Sequence, residues 1–172
     1  MIQIKIGGWA GQGVVLSGII LSTAFSNVLE KNVVMTRSYT AAVRSGITSA
    51  DVIVDDNEIY DLNAHEPDVL IIMYQKTFDK YIGMVKAAKY VIVDSTLVKD
   101  IPSDLKNIYS VKASEIAENI SSPKISNMVL LGKYVAITKH LTIDALEEAV
   151  KLSVSKKFID DDLKALRSGF YS

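Results

Sequence analysis

The sequence predicts an α/β domain spanning residues 1–172, and three observations carry that reading. Strand-like apolar runs alternate with stretches of helical periodicity through the first two thirds of the chain. The run Val69-Leu70-Ile71-Ile72-Met73 is apolar without a break, as in a strand covered on both faces. The last third carries helical patterns only. Alternation of this kind builds a mostly parallel sheet flanked by helices, so the expected architecture is Rossmann-like with a helical C-terminal third.

The elements follow in order. Ile2–Ile6 reads as the first strand. Val14 to about Lys31 reads as one helix, with Leu16, Ile19, Ile20 and Ala24 or Phe25 at helical spacing. Val33–Thr36 is a short second strand, and Arg37 to Ile47 a polar loop. Thr48–Val54 alternates, with Ala50, Val52 and Val54 on one face, so a half-exposed strand is expected. After the buried strand Val69–Met73, Gln75–Ala88 is helical and Tyr90–Val93 is a second buried strand, ending at Asp94-Ser95. Ile108–Val111 is the last strand. Helices are expected over Ser114–Ile120, Asn127–Thr138, Ile143–Val154 and Phe158–Ser168. Thr142 fits an N-cap with Asp144 in the first turn, and Gly169 fits a helix stop. No repeat, low-complexity segment or linker divides the chain.

Composition narrows the function classes. Apolar residues make up 49% and charged residues 23%, which is globular rather than disordered. The net charge of −1 gives no basic surplus for general nucleic-acid binding. The run Asp160-Asp161-Asp162 is answered by nearby Lys156 and Lys157. Without cysteine, the chain forms no disulfide, no cysteine zinc site and no ordinary iron–sulfur cluster on its own ligands. The N-terminus lacks the basic, apolar and small-residue succession of a signal peptide. The greasy stretch Val14–Val28 is interrupted by Ser17, Ser22, Ser26 and Asn27, too polar for a membrane span. A soluble cytoplasmic protein is therefore expected, with no nucleic-acid or membrane partner.

The stretch that carries most information is Gly7-Gly8-Trp9-Ala10-Gly11-Gln12-Gly13, between the first strand and the first helix. Gly8, Ala10 and Gly13 match a dinucleotide-binding spacing only with alanine in the middle, where a methyl group crowds the pyrophosphate. Gly11 and Gly13 give a second register, with amides at a helix N-terminus that favour an anion. The acid expected at the end of strand two is missing from Val33-Val34-Met35-Thr36-Arg37-Ser38-Tyr39-Thr40. Arg37 is the one residue there suited to a 2′-phosphate. Three readings stand, in this order: glycines that pack helix against strand, an anion site, and an NAD(P) site.

Other candidates are weaker alone. His65 and His140 lack an acid or serine pattern for base catalysis, and Asp55-Asp56-Asn57-Glu58 lacks the frame of a calcium loop. No Gly-Asp-Gly with a distant Asn is present, so a thiamine-diphosphate magnesium motif is absent. Tyr39 and Arg44 leave strand two, while Asp94 and Ser95 end a central strand. In a parallel sheet these ends share one edge with the glycine loop, as a ligand crevice or a docking surface. Tyrosine and arginine are common interface anchors.

Taken together, these stretches resemble the gamma subunit of the 2-oxoacid:ferredoxin oxidoreductases, which act on pyruvate, 2-oxoglutarate or ketoisovalerate. That family's Gly-x-Gly-Gly-Gln-Gly loop appears as Gly8-Trp9-Ala10-Gly11-Gln12-Gly13. Its Ser-Tyr-Gly-Pro-Glu-x-Arg-Gly-Gly-x-Ser marker appears as Ser38-Tyr39-Thr40-Ala41-Ala42-Val43-Arg44-Ser45-Gly46-Ile47-Thr48, followed by Ser49. Asn-Met-x-x-Leu-Gly appears as Asn127-Met128-Val129-Leu130-Leu131-Gly132, and Val-Asp-Ser as Val93-Asp94-Ser95. The departures are Ala10 for glycine, Thr40-Ala41-Ala42 for Gly-Pro-Glu, and Ser45 for the first glycine after the arginine.

The resemblance implies a multi-subunit enzyme that oxidatively decarboxylates a 2-oxoacid with coenzyme A and passes electrons to ferredoxin. It implies alpha, beta and ferredoxin-like delta partners that carry thiamine diphosphate, magnesium and the iron–sulfur clusters, with no cofactor and no catalytic or metal residue in this chain. A homodimer is the option for the chain in isolation. The implied ligand or interface edge comprises Gly8, Gly11, Gln12, Gly13, Ser38, Tyr39, Arg44, Gly46, Asp94, Ser95 and Asn127. The alternatives are an independent NAD(P)-binding reductase and a non-catalytic regulator of the same fold.

Overall fold

A computed structural model describes residues 1–39 and 46–172. Its sheet has six strands in the order β2-β3-β1-β4-β5-β6. They are β1 (Ile2–Trp9), β2 (Asn32–Tyr39), β3 (Ile47–Asp55), β4 (Val69–Ile72), β5 (Tyr90–Asp94) and β6 (Ile108–Val111). β1, β4, β5 and β6 pair in parallel, whereas β3 runs antiparallel to both β1 and β2. Five of the six strands thus point the same way, and the mostly parallel expectation holds. The C-terminal ends of β1, β2, β4 and β5 share one edge.

The helices are α1 (Val14–Thr23), α2 (Gln75–Lys80), α3 (Ile82–Ala87), α4 (Ala113–Ile120), α5 (Ser126–Thr138), α6 (Ile143–Ser153) and α7 (Ile159–Tyr171). One sheet face sends Ile4, Ile6, Val52 and Ile71 against Ile20, Leu21, Leu131 and Tyr134 of α1 and α5. The other face sends Leu70, Ile72, Val91 and Val93 against Phe78 and Val85 of α2 and α3. The central strands β4 and β5 are covered on both faces, as their unbroken apolar runs require.

Several local expectations are corrected. The first helix does not run unbroken to Lys31: it widens into a π-helical turn over Ala24–Val28, which keeps both Ala24 and Phe25 buried. β2 extends to Tyr39 and β3 starts at Ile47, because Arg37, Ser38 and Tyr39 pair with Ala50, Ser49 and Thr48. β2 is an edge strand, and there polar residues are tolerated. β3 is not half-exposed but buried from Thr48 to Val54, since it lies inside the sheet. The helix expected over Gln75–Ala88 breaks at Tyr81, whose backbone leaves the helical region.

Gly169 is not a helix stop. α7 continues through it to Tyr171, and its place in the chain is a matter of packing. A Cβ at Gly169 would lie 1.8 Å from the carbonyl oxygen of Val129, and one at Gly132 would lie 1.9 Å from that of Leu166. α5 and α7 therefore cross backbone to backbone at these two glycines. Thr142 does cap α6, its hydroxyl accepting from the Ala145 N–H at 3.2 Å, with Asp144 in the first turn.

Candidate functional site

The glycine turn joins β1 to α1, and its geometry follows from a few hydrogen bonds. The Trp9 N–H donates to Gln12 Oε1 at 2.6 Å, and Gln12 Nε2 donates to the Met73 carbonyl at 3.3 Å. Gln12 thus ties the turn to the end of β4. A Cβ on Gly8 would come within 2.9 to 3.0 Å of Gln12, Val14 and Met73, inside contact distance, so Gly8 serves packing.

Gly13 has φ of 76° and precedes the first turn of α1. Its carbonyl accepts from Ser17 N–H and Oγ at 2.8 and 3.0 Å and from Asn127 Nδ2 at 3.4 Å. A Cβ there would land 2.6 Å from Asn127 Nδ2. Asn127 is 2% exposed on α5, so the Asn-Met-x-x-Leu-Gly stretch has two structural ends: Asn127 against the turn and Gly132 at the helix crossing.

Gly46 has φ of 56°, and its carbonyl accepts from the Ala10 N–H at 2.6 Å. A Cβ on it would collide with the Trp9 ring at 2.3 Å. The glycine turn and the base of the β2–β3 connection are consequently one unit. Trp9 also packs against Tyr74, with ring centroids 5.3 Å apart, and carries Lys76 Nζ 5.5 Å above its ring.

What the turn offers is a set of donors. α1 has no side-chain N-cap, and the N–H groups of Gly11 and Gly13 make no hydrogen bond among the described residues. Gly11 is exposed with φ of 89° and nothing within 4 Å of where a Cβ would be. Uncapped amides on a positive helix end suit an anion. Beside them lies a cavity of about 640 Å³, which Gly11, Gly13, Leu16 and Asn127 line together with residues of the α4–α5 loop, α6 and α7.

The edge expected from sequence is only partly assembled. Gly8, Gly11, Gln12, Gly13, Gly46 and Asn127 come together. Tyr39 closes β2 opposite Thr48, while Ser38 lines a separate polar pocket with Thr36, Ser49, Lys5 and Asp51. Arg44 lies outside the described residues. Asp94 is fully buried and spent internally, accepting from Thr96 N–H at 3.0 Å, Ser114 N–H at 3.2 Å and Ser114 Oγ at 2.5 Å. Those bonds hold the first turn of α4, so the Asp94 carboxylate faces no crevice. Ser95 stays at that corner, its carbonyl accepting from Lys99 Nζ at 2.6 Å. β4 separates β1 from β5, so this corner stands about 10 Å across the sheet from the glycine turn.

Two groups escaped the sequence reading. Lys5 and Asp51 face each other across β1 and β3 and form a buried ion pair at 2.5 Å, with Asp51 Oδ2 also accepting from Ala64 N–H at 2.9 Å. The available signal was a lysine between Ile4 and Ile6 and an aspartate between Ala50 and Val52, each inside a strand. The second is Asp162. The lysines Lys156 and Lys157 do not answer it: it lies 3% exposed on the cavity wall with no hydrogen-bond partner among the described residues. Burial, with Asp161 beside it, pushes its carboxyl up to about 6. His140 meets the Tyr134 hydroxyl at 3.2 Å, and burial lowers its basicity.

A family model for pyruvate ferredoxin/flavodoxin oxidoreductase matches residues 3–172. The 2-oxoglutarate synthase subunit KorC of Methanocaldococcus jannaschii is 31% identical, over 98% of this chain and 91% of its own length. The gamma subunit of keto/oxoacid ferredoxin oxidoreductase from Geobacter sulfurreducens superposes with a TM-score of 0.87 at 29% identity, covering 99% of this chain and 97% of that one. The 2-oxoglutarate:ferredoxin oxidoreductase of Magnetococcus marinus, solved with 2-oxoglutarate, coenzyme A and succinyl-CoA bound, shares the fold. Its TM-score is 0.84 at 17% identity, over 98% of this chain and 30% of that one.

Proposed function

Because this chain belongs to the pyruvate ferredoxin/flavodoxin oxidoreductase family, with gamma subunits among its relatives, we propose that it is the gamma subunit of a cytoplasmic 2-oxoacid:ferredoxin oxidoreductase. The complex converts a 2-oxoacid to an acyl-CoA and passes the electrons to ferredoxin. Thiamine diphosphate, magnesium and iron–sulfur clusters reside in the alpha, beta and delta partners. This chain contributes assembly and shapes the access of coenzyme A.

The observation that carries the coenzyme A role is the open N-terminus of α1, where the Gly11 and Gly13 amides have no acceptor among the described residues. Those donors fit a phosphate of the coenzyme. The spent Ala10 N–H and the acid-free end of β2 argue against an NAD(P) site.

The test has two parts. The chain is co-produced with the products of neighbouring genes, and the complex is assayed with several 2-oxoacids, coenzyme A and a viologen dye. Activity is expected in the complex and none in the isolated chain; turnover by this chain alone overturns the reading. Calorimetry with NADH and NADPH gives the second part. A micromolar dissociation constant for either favours the independent reductase. Tyr39→Ala and Arg44→Ala are expected to change folding by less than about 1 kcal/mol and to weaken assembly by roughly 1–3 kcal/mol.

A further inference from the structure

Asp162 closes the first turn of α7, after Ile159, Asp160 and Asp161. Asp162 shares a helix face with Ala165, Leu166 and Gly169, all buried, which is why it turns inward. It reaches the wall of the cavity of about 640 Å³ and meets no donor among the described residues. A carboxylate whose oxygens reach solvent only through a cavity is poorly hydrated, and such groups persist where something outside the fold serves them.

The rest of the cavity describes what that something is. Leu16, Ile125, Met128, Val154 and Phe158 make its walls largely apolar. Of the charged residues that line it, Asp161 and Asp162 are acidic and Lys124 is basic; Lys124 is exposed, so the buried charge is negative. The mouth is not a closed rim. Phe158 is 51% exposed on it, Leu152 beside the lining residue Ser153 is 60% exposed, and Ile19 lies one turn along α1 from Leu16 with 42% exposed. An occupant that fits this shape arrives with an apolar surface around it, which a free metabolite does not bring.

We propose that this cavity receives an arginine side chain from a partner subunit, its guanidinium on the Asp162 carboxylate and its stem along Phe158 and Leu16. Arginine fits better than lysine because the planar guanidinium is less strongly hydrated, bonds a carboxylate through two donors and lies flat on an aromatic ring. The surrounding exposed side chains pack against apolar residues next to that arginine. This proposal rests on the chain being a subunit of a larger complex. It concerns the acidic wall of the cavity and leaves the glycine amides to their anion.

The experiment compares assembly of the chain with its co-produced partner subunits for wild type, Asp162→Asn and Phe158→Ala. Asparagine keeps the shape of the side chain and removes its charge, so this variant folds; melting is recorded beside each affinity. Asp162→Asn is expected to weaken assembly at least about tenfold while melting no lower than wild type. A photo-crosslinking phenylalanine analogue at position 158 is expected to capture an arginine-containing peptide of one partner. Asp162→Asn assembling with wild-type affinity overturns the proposal, as does a captured peptide without arginine. Micromolar binding of butylguanidinium by the isolated chain also overturns it, since the site then serves a small cation. If wild type itself fails to assemble, the subunit reading falls with it; if wild type assembles and the asparagine variant assembles equally, only this proposal falls.

Discussion

Asp94 and Asp162 are buried alike, at 0% and 3% exposure, and each sets a carboxylate at the first turn of a helix, Asp94 from the end of β5 beneath α4 and Asp162 within α7 itself. Asp94 receives three hydrogen bonds from Thr96 and Ser114 and so closes the corner between β5 and α4. Asp162 receives none among the described residues and looks into a cavity. The contrast extends to the helix ends of the same sheet edge. α4 starts on the Asp94 carboxylate, whereas α1 starts on Gly13, whose amide finds no acceptor among the described residues. The difference separates polar groups that build the domain from polar groups the domain leaves for something else, which a residue type or a position at a strand end does not do.

The comparison breaks most readily at Asp94. Asp94→Ala strands the Thr96 and Ser114 donors inside the fold, and chemical denaturation is expected to show a loss of roughly 3 kcal/mol. A loss within 0.5 kcal/mol, an ordinary surface value, would mean that water serves the corner. Gly13→Ala comes next, at roughly 2 kcal/mol, because its Cβ meets Asn127 and its φ is left-handed. Gly11→Ala shares the left-handed φ but has open space, so only about 1 kcal/mol is expected in the same melts. Equal losses for the two glycines would remove Asn127 from the argument.

Asp162→Asn sharpens the contrast with the opposite sign. The carboxyl is raised from 3.8 to about 6 in the folded chain, so the native state holds the proton more tightly than the unfolded one. Stability from this group is therefore present below about pH 4 and is lost as pH rises through 6. Above pH 7 the asparagine variant of the isolated chain should be the more stable by roughly 1–3 kcal/mol, and the gap should close toward pH 4. Melting curves across that range that stay parallel would mean Asp162 is solvated after all. An effect as small as that at Gly11 is expected at a helix end that is internally capped, where Thr142→Ala should cost about 1 kcal/mol by denaturant titration.

The fold was legible because apolar runs such as Val69–Met73 have one comfortable place, inside a doubly covered sheet. The Gly8–Gly13 turn and Asn127 were legible as a group through their spacing in a family pattern, and the structure adds the contact that joins them. The β2–β3 pairing was not, since Arg37, Ser38 and Tyr39 are polar enough for a loop and their strand character comes only from the ladder to β3. Asp94 read as a site residue because a strand end is where sites lie; its consumption by Ser114, twenty residues on, is tertiary. Asp162 was hidden inside an acidic run that resembles solvated surface. Its phase with Ala165, Leu166 and Gly169 was visible in the sequence and marked it as inward-facing.

The crossing of α5 and α7 at Gly132 and Gly169 works as a ruler. Because main chain rests on main chain there, with no side chain able to adjust, the separation of the two helices is a fixed dimension. Asp162 lies two turns up α7 from Gly169, about 10 Å along a rigid rod. Among the described residues no hydrogen bond holds that carboxylate, so its address is written by a contact at the other end of the helix. A methyl group at position 169 would tilt the rod and misplace Asp162 without touching it. Drift in sequence at these two glycines is then restrained by the cavity as well as by the core.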